Sequence, residues 1–271
     1  MEAVKIREKA SFLIIILILS LSIPAAAQAV IPKVVAHRTA WKAQALPQNS
    51  IEGLRGAMDL KCYAAEIDVH LTKDNKLIVT HDRNIGGLPI ETSSFKDLES
   101  ALESDEKLLK LEDFISYAGG SNLNLWLDLK TSKTDMKKAV DLGYHVAREV
   151  ERLGATERIV FIGPHFEALV KVLEVLPEAE VLYTGTDKAP DSLDQLGFKG
   201  VFVSQKKIIS GEFDIPLAKK AGLKVGAYTV NKETAMKALV KKQVDFIVTD
   251  EPEMLLGLLN GMGNPSSLQE P

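Results

Sequence analysis

Four short groups in this 271-residue chain carry side chains that could do chemistry: His37-Arg38, Glu66 with Asp68, His81-Asp82, and Asp128 with Lys130. On an extended strand, side chains two residues apart share a face. Glu66 and Asp68 therefore point one way while Ile67 and Val69 point the other. Asp128 and Lys130 likewise oppose Leu127 and Leu129. If both strands face one interior, it receives three carboxylates and one ammonium. Buried carboxylates are strongly disfavoured unless they are paired or hold a metal. Three carboxylates without a thiolate favour a hard divalent cation, Mg2+ or Ca2+, over zinc. Charge then narrows the substrate. The three acids and a divalent cation leave a formal −1, and Arg38 and Lys130 bring the site to +1. A phosphodiester would make the loaded site nearly neutral. Its transition state gains negative charge, which the cation, Arg38 and Lys130 could stabilise. His37 and His81 are the natural general base and acid, because imidazole titrates near neutral pH.

These residues fall where strands are expected to end. Short apolar runs at 34–36, 64–71, 76–80, 123–129, 159–162, 181–183, 200–203, 225–230 and 246–249 read as strands, with Asp74-Asn75 as a hairpin turn. Helical patterns lie between them at 51–60, 111–118, 134–152, 166–176, 216–221, 232–241 and 252–259. Ser50 and Thr134 are expected to cap the first and the longest of these, and Gly119-Gly120 to stop the second. Strand and helix alternate about eight times, which implies buried parallel strands covered by helices. The expected fold is a single (β/α)8 TIM barrel, for which about 250 residues is typical. An open doubly wound sheet is the alternative, but no G-x-G-x-x-G follows the first strand. In a closed barrel, active sites form at the C-terminal ends of the strands. The polar stretch 83–110 reads as a solvated loop with one short helix.

Composition narrows the class further. Apolar residues make up 46% and charged residues 26%, which excludes a mainly disordered or collagen-like chain. The net charge of −4 gives no sign of a nucleic-acid partner. A single cysteine, Cys62, excludes an intramolecular disulfide and a Cys-rich zinc site. At the N-terminus, Lys5, Arg7 and Lys9 precede an apolar run that reaches Ile23, and Ala27-Gln28-Ala29 fits a cleavage site. Residues 1–29 therefore read as a signal peptide of an exported, periplasmic or extracellular protein. The alternative is a retained membrane anchor, since residues 11–30 are just long enough to span, but Pro24 and Gln28 argue against it. The barrel is then expected over residues 30–259, with a flexible Gly-, Pro- and Ser-containing tail over 260–271.

The ordered motifs resemble those of glycerophosphodiester phosphodiesterases. They are His37-Arg38, Pro47-Gln48-Asn49-Ser50, Glu66-Ile67-Asp68-Val69, Leu71-Thr72-Lys73-Asp74, His81-Asp82 and Leu127-Asp128-Leu129-Lys130. Tyr228-Thr229-Val230-Asn231 and residues 244–252 complete the set, which runs the length of the chain after the leader. The resemblance implies a TIM-barrel, metal-dependent enzyme that hydrolyses deacylated phospholipids to glycerol 3-phosphate and an alcohol. It implies His37 and His81 as the acid–base pair, and Glu66, Asp68 and Asp128 as ligands of one divalent cation. It also implies Arg38, Lys130 and the Gln48 position at the phosphate. The adjacent glycerol hydroxyl is expected to attack phosphorus first, giving a cyclic phosphate that water opens. The partner is then a small-molecule phosphodiester, with transient contact with membrane lipid left open, as is the oligomeric state.

This sequence departs from the family pattern at four places. Thr39 replaces the usual Gly, Gln48 a Glu, Asp128 a Glu and Tyr228 a Trp. Thr39 is expected to narrow the approach of substrate or to alter a backbone turn. Two other functions stay in view: phospholipase-D-like action on lysophospholipid or sphingomyelin, and a catalytically weak barrel that only binds a phosphate ligand or a partner. Among the remaining residues, Trp126 is expected to fill the barrel interior and Cys62 to be buried. His70 is expected at the surface, His165 outside the cleft, His145 on a helix, and Trp41 packed in its own loop.

Overall fold

The computed structural model describes residues 30–103, 107–131 and 135–262. Its main sheet has nine strands, eight of them parallel: β1 (Lys33–Ala36), β2 (Ala64–Leu71), β3 (Asn124–Leu129), β4 (Ile159–Gly163), β5 (Glu180–Tyr183), β6 (Gly200–Ser204), β7 (Lys224–Tyr228) and β8 (Phe246–Thr249). Each pairs with its neighbour in sequence, and β1 pairs with both β2 and β8, which closes the barrel. Helices lie between the strands, as expected for a (β/α)8 fold.

The strands are buried on both sides, which is why they are apolar runs without clean alternation. Val35, Ala64, Trp126, Val160, Ile162, Leu182, Phe202, Phe246 and Val248 fill the interior. Trp126 is central there: its ring meets Phe246 edge-on at 4.9 Å and Phe202 at 5.8 Å. The opposite parity, including Ala65, Ile67, Val69, Leu125, Leu127 and Leu129, packs in the outer layer with helix residues such as Leu54, Phe114 and Val146. Because the apolar interior sets the parity, Glu66, Asp68 and Asp128 must also point inward.

Local sequence explains the helix starts. Ser50 Oγ accepts from the Gly53 amide at 3.0 Å and caps Ile51–Asp59. Met136–Arg152 is capped by Asp135, whose side chain accepts from the Lys138 amide at 3.1 Å. Thr134, the expected cap, lies outside the described residues. The last helix is Pro252–Met262, three residues past the expected end of the barrel at 259. The rest of the expected tail and the expected signal peptide, residues 1–29, lie outside the described residues.

The stretch after β2 differs most from expectation. Leu77–Val79 returns antiparallel to β2, as the Asp74-Asn75 turn predicts. The described residues between 83 and 110 are more than a solvated loop. They carry a two-residue ladder, Asn84–Ile85 with Leu88–Pro89, and the helix Phe95–Ser100 with a Ser94–Asp97 capping box. Ile85, Ile90, Leu98 and Leu108 join Ile78 in a separate small core. These residues are irregularly spaced and one partner lies on the hairpin, so periodicity could not reveal them.

Candidate active site

His37 leaves β1 with its amide on the Thr249 carbonyl at 2.9 Å. Arg38 (φ 54°) and Thr39 (φ 74°) are both left-handed, which turns the chain sharply. The turn aims the Arg38 amide at Glu66 Oε2, 2.8 Å away, and the Thr39 amide at the Glu66 carbonyl, 3.1 Å. The Thr39 side chain is fully buried under the helix Ile51–Asp59. A Cβ on Gly53 would come within 2.2 Å of Thr39 Oγ1. Thr39 therefore does not narrow the approach of substrate; its effect falls on the turn.

The β2–β3 register sets Asp68 beside Asp128 and Glu66 beside Trp126. Glu66, Asp68 and Asp128 each offer an oxygen within 4.8 Å of the others. Glu66 and Asp68 are 2% and 1% exposed. Lys130 Nζ stands 3.0 Å from Asp68 Oδ1 and also pairs with Asp128 Oδ2. Asn49 Nδ2 donates to Asp68 Oδ2 at 2.8 Å, and its Oδ1 accepts from the Asp68 amide at 3.1 Å. Arg38 Nε lies 3.5 Å from Asp68 Oδ2, and Arg38 Nη1 donates to Gln48 Oε1 at 2.8 Å.

Three acids this close cannot all ionise easily. Burial, then the charge of Asp68, pushes Glu66 up to about 8. Burial also raises Asp128, against the pull of Lys130. Asp68 goes the other way: burial would raise it, but Lys130, Asn49 and Arg38 together lower it. Lys130 is held well above its ordinary value, because Asp128, Asp68 and Glu66 outweigh its burial. Lone pairs remain unmet. Asp128 Oδ1 is buried without a hydrogen bond, and Asp68 Oδ1 likewise has none, facing only the Lys130 ammonium. An all-oxygen, electron-rich cluster with orphaned oxygens fits a hard divalent cation such as Mg2+ or Ca2+.

His37 belongs to a chain of bonds that sequence reasoning did not assign to the site. Its Nδ1 is 2.6 Å from Asp250 Oδ1, and its Nε2 is 4.0 Å from Glu66 Oε2. Asp250 Oδ2 accepts from Asn231 Nδ2, and the Asp250 amide donates to Asn231 Oδ1 at 2.9 Å. Burial would lower the His37 pKa, but the bond to Asp250 and the charge of Glu66 raise it overall. The signal for Asp250 was parity: it continues the inward series Phe246 and Val248 one step past the strand.

His81 enters from another side. It follows the hairpin strand, is 44% exposed, and has Nδ1 3.0 Å from Asp82 Oδ1. It lines a cavity of about 480 Å3 together with His70, Asp82, Arg83, Asn84 and Lys130, and of these Lys130 pairs with Asp68 and Asp128. His70 is thus a cleft residue and not a surface one. It is 2% exposed, and burial holds its pKa down at about 4, against the raising pull of Asp68. His165 is half-buried at the start of Phe166–Val175 and bonds the Thr131 backbone. Tyr228 ends β7 with its ring against Phe202; burial, then the charge of Asp128, raises its phenol. His145 sits on the outer helix against the Tyr144 ring, as expected.

The model of the glycerophosphoryl diester phosphodiesterase family matches residues 37–254, from the first histidine of this site to beyond Asp250. The chain belongs to that family. A crystal structure of a glycerophosphodiester phosphodiesterase from Parabacteroides distasonis is 31% identical, covers 87% of this chain and 99% of its own, and superposes with a TM-score of 0.81. The glycerophosphodiester phosphodiesterase of Caldanaerobacter subterraneus subsp. tengcongensis is 24% identical over 254 residues, 85% of this chain and 98% of its own. An Oleispira antarctica phosphodiesterase, solved with the product sn-glycerol-3-phosphate, shares the fold at 21% identity and a TM-score of 0.72, over 85% of this chain and 97% of its own. This glycerophosphoryl diester phosphodiesterase-family barrel is therefore a phosphoric diester hydrolase, and its mouth carries an acidic cluster that could hold a metal ion.

Proposed function

We propose that this protein hydrolyses glycerophosphodiesters to glycerol 3-phosphate and an alcohol, with His37 and His81 as the acid–base pair. The reading is carried by one juxtaposition: the Glu66–Asp68–Asp128 cluster shares its barrel mouth with two fixed cations, Arg38 and Lys130, and with a buttressed histidine. Glu66, Asp68 and Asp128 would hold one divalent cation, Mg2+ or Ca2+. When bound, the cation supplies charge stabilisation to a phosphoryl group.

The chain's own residues do the rest. Arg38 and Lys130, both anchored on Asp68, hold the phosphate and meet its growing charge. Asp250 fixes His37 through Nδ1, which leaves Nε2 to take or return a proton. The neighbouring glycerol hydroxyl attacks phosphorus and loses its proton to one imidazole, while the other protonates the departing alcohol. Water then opens the cyclic phosphate, and the two imidazoles exchange roles.

Two departures from the family pattern favour catalysis over mere binding. Thr39 stays out of the cleft, and Gln48 still accepts from Arg38. Export is part of the proposal and rests on the pattern of residues 1–29. N-terminal sequencing of the exported protein is expected to start at Val30, and a retained Met1 would overturn it. The activity test supplies glycerophosphocholine and glycerophosphoethanolamine with Ca2+, Mg2+ or EDTA and measures glycerol 3-phosphate. Metal-dependent release abolished by EDTA is expected. Headgroup release from lysolipid alone would favour the phospholipase-D-like reading instead.

A further inference from the structure

We infer that the cavity beside His81 is a subsite for the departing alcohol, and that it selects a polyhydroxylated alcohol over a quaternary ammonium one. The inference rests on the proposed hydrolysis and names the substrate class within it. A second cavity of about 260 Å3 adjoins the one of about 480 Å3, and the two share His70, Arg83 and Asn84. Ligand pockets of drug-sized molecules start at about 300 Å3, so three-carbon glycerol would leave most of this space empty. The larger, variable half of the substrate suits it better. Lys130 lines the cavity and ion-pairs with Asp68 and Asp128, which places the subsite next to the proposed phosphate position.

The lining determines what fits. Among the described residues, no Phe, Tyr or Trp lines either cavity. Recognition of a trimethylammonium group uses aromatic faces, and none is offered. Carboxylates could substitute, but both are engaged: Asp82 with His81 at 3.0 Å, and Glu91 with Lys138 at 3.5 Å. Arg83 makes no ion pair or side-chain hydrogen bond among the described residues, so the free charge of the wall is positive. Hydrogen-bonding capacity is plentiful instead. Arg83 and Asn84 present donors, and Asn84 an acceptor. His70 is 98% buried, bonds the His81 backbone, and has Nε2 without a partner. A buried unpaired ring nitrogen is unfavourable until something completes it, and a substrate hydroxyl would.

The wall is also preformed. The Arg83 carbonyl accepts from the Ile90 amide at 3.0 Å, and Ile85 and Ile90 anchor the segment in its own small core. Gly86, at φ 54°, closes the turn where a Cβ would lie 2.4 Å from the Ala101 carbonyl oxygen. A rigid polar wall loses little entropy on binding a polyol.

The test compares glycerophosphoinositol with glycerophosphocholine, both in hydrolysis by the wild-type protein and in calorimetric binding to the His37→Ala variant. A kcat/KM and a Kd favouring the inositol diester by about tenfold or more are expected, since a site built to hydrogen-bond hydroxyls discriminates strongly. Arg83→Ala, at an exposed position, is expected to cut that ratio several-fold. His70→Leu, which removes the acceptor and keeps the bulk, is expected to do the same. Equal or better use of the choline diester, a ratio indifferent to Arg83→Ala, or no binding of either diester would overturn the subsite. If the wild type hydrolyses neither diester while His37→Ala still binds the inositol one selectively through Arg83, the proposed hydrolysis fails and the subsite stands.

Discussion

At the scale of single residues, the site is a set of groups that fix one another. His37 can act only if its ring is held and its tautomer set, and Asp250 does both through a 2.6 Å bond. His37→Ala and His81→Ala are each expected to lower kcat by about 10²-fold or more, read in the glycerol 3-phosphate assay. Asp250→Asn keeps the shape and removes the charge that raises His37. It is expected to lower kcat by about 10²–10⁴-fold with little change in KM, as for other His-orienting acids. The acidic limb of its pH profile should also move to lower pH; an unmoved limb would show that Asp250 does not set the state of His37. These roles were unequally legible in the sequence. Glu66, Asp68, Asp128 and Lys130 follow from strand parity, because the interior parity is fixed by their apolar neighbours. Asp250 obeys the same rule but lies one step past its strand, and Asn231 joins the site only through Asp250. His70 was misread because nothing in its own strand shows that Arg83, Asn84 and Glu91 will wall the space beside it.

At the scale of elements, the turn after β1 carries strain that one packing contact explains. Thr39 is β-branched at φ 74°, a conformation such residues rarely adopt, and its buried Oγ1 has no hydrogen bond. Its side chain occupies the space that Gly53 leaves open. Gly53→Ala should therefore clash and cost about 1–3 kcal/mol. Thr39→Gly removes the strain and the orphan hydroxyl, but it adds unfolded-chain entropy and a small void. A net gain between zero and about 1 kcal/mol is expected. In the double variant the added methyl meets no Thr39 side chain, so Gly53→Ala should cost clearly less than it does alone. Denaturant melts of the four proteins test this, and simple additivity would refute the contact. The elements themselves were legible to different degrees for a physical reason. β2, β8 and the helix Leu111–Ala118 match their sequence boundaries because burial on both faces, or a strong apolar stripe, marks them. The six-residue helices Pro190–Gln195 and Gln205–Ser210 each bury a single apolar residue, Leu193 and Ile208, and leave no periodic trace.

At the scale of the whole molecule, closing the barrel forces three acids into one buried layer, so cation binding, protonation and stability become linked. Without a cation, Glu66 titrates near 8 in the folded protein against 4.5 in its unperturbed state, because burial and Asp68 oppose its charge. His37 is also raised above 6.5; the Asp250 bond and Glu66 overcome its burial. Both groups therefore bind protons more readily folded than unfolded. Between pH 6.5 and 8 the native state holds the excess of protons, and stability must fall as pH rises. Below 6.5, His70 acts in the opposite sense. Burial holds it near 4 when folded, so it favours the folded state as pH rises from 4 to 6.5 and offsets Glu66 there. The melting temperature in EDTA is thus expected to change little from pH 5 to 6.5 and to drop from 6.5 to 8. A divalent cation competes with the proton on Glu66, so its apparent affinity should tighten with pH, by up to about tenfold per unit for one displaced proton. The difference in melting temperature between Mg2+ or Ca2+ and EDTA should accordingly be larger at pH 8 than at pH 6.5. Glu66→Gln cannot ionise; it should flatten the EDTA decline to what His37 and Asp128 contribute and remove most of the cation's effect. A cation shift independent of pH, or an EDTA melting point that rises from pH 6.5 to 8, would mean that the three carboxylates do not share one site.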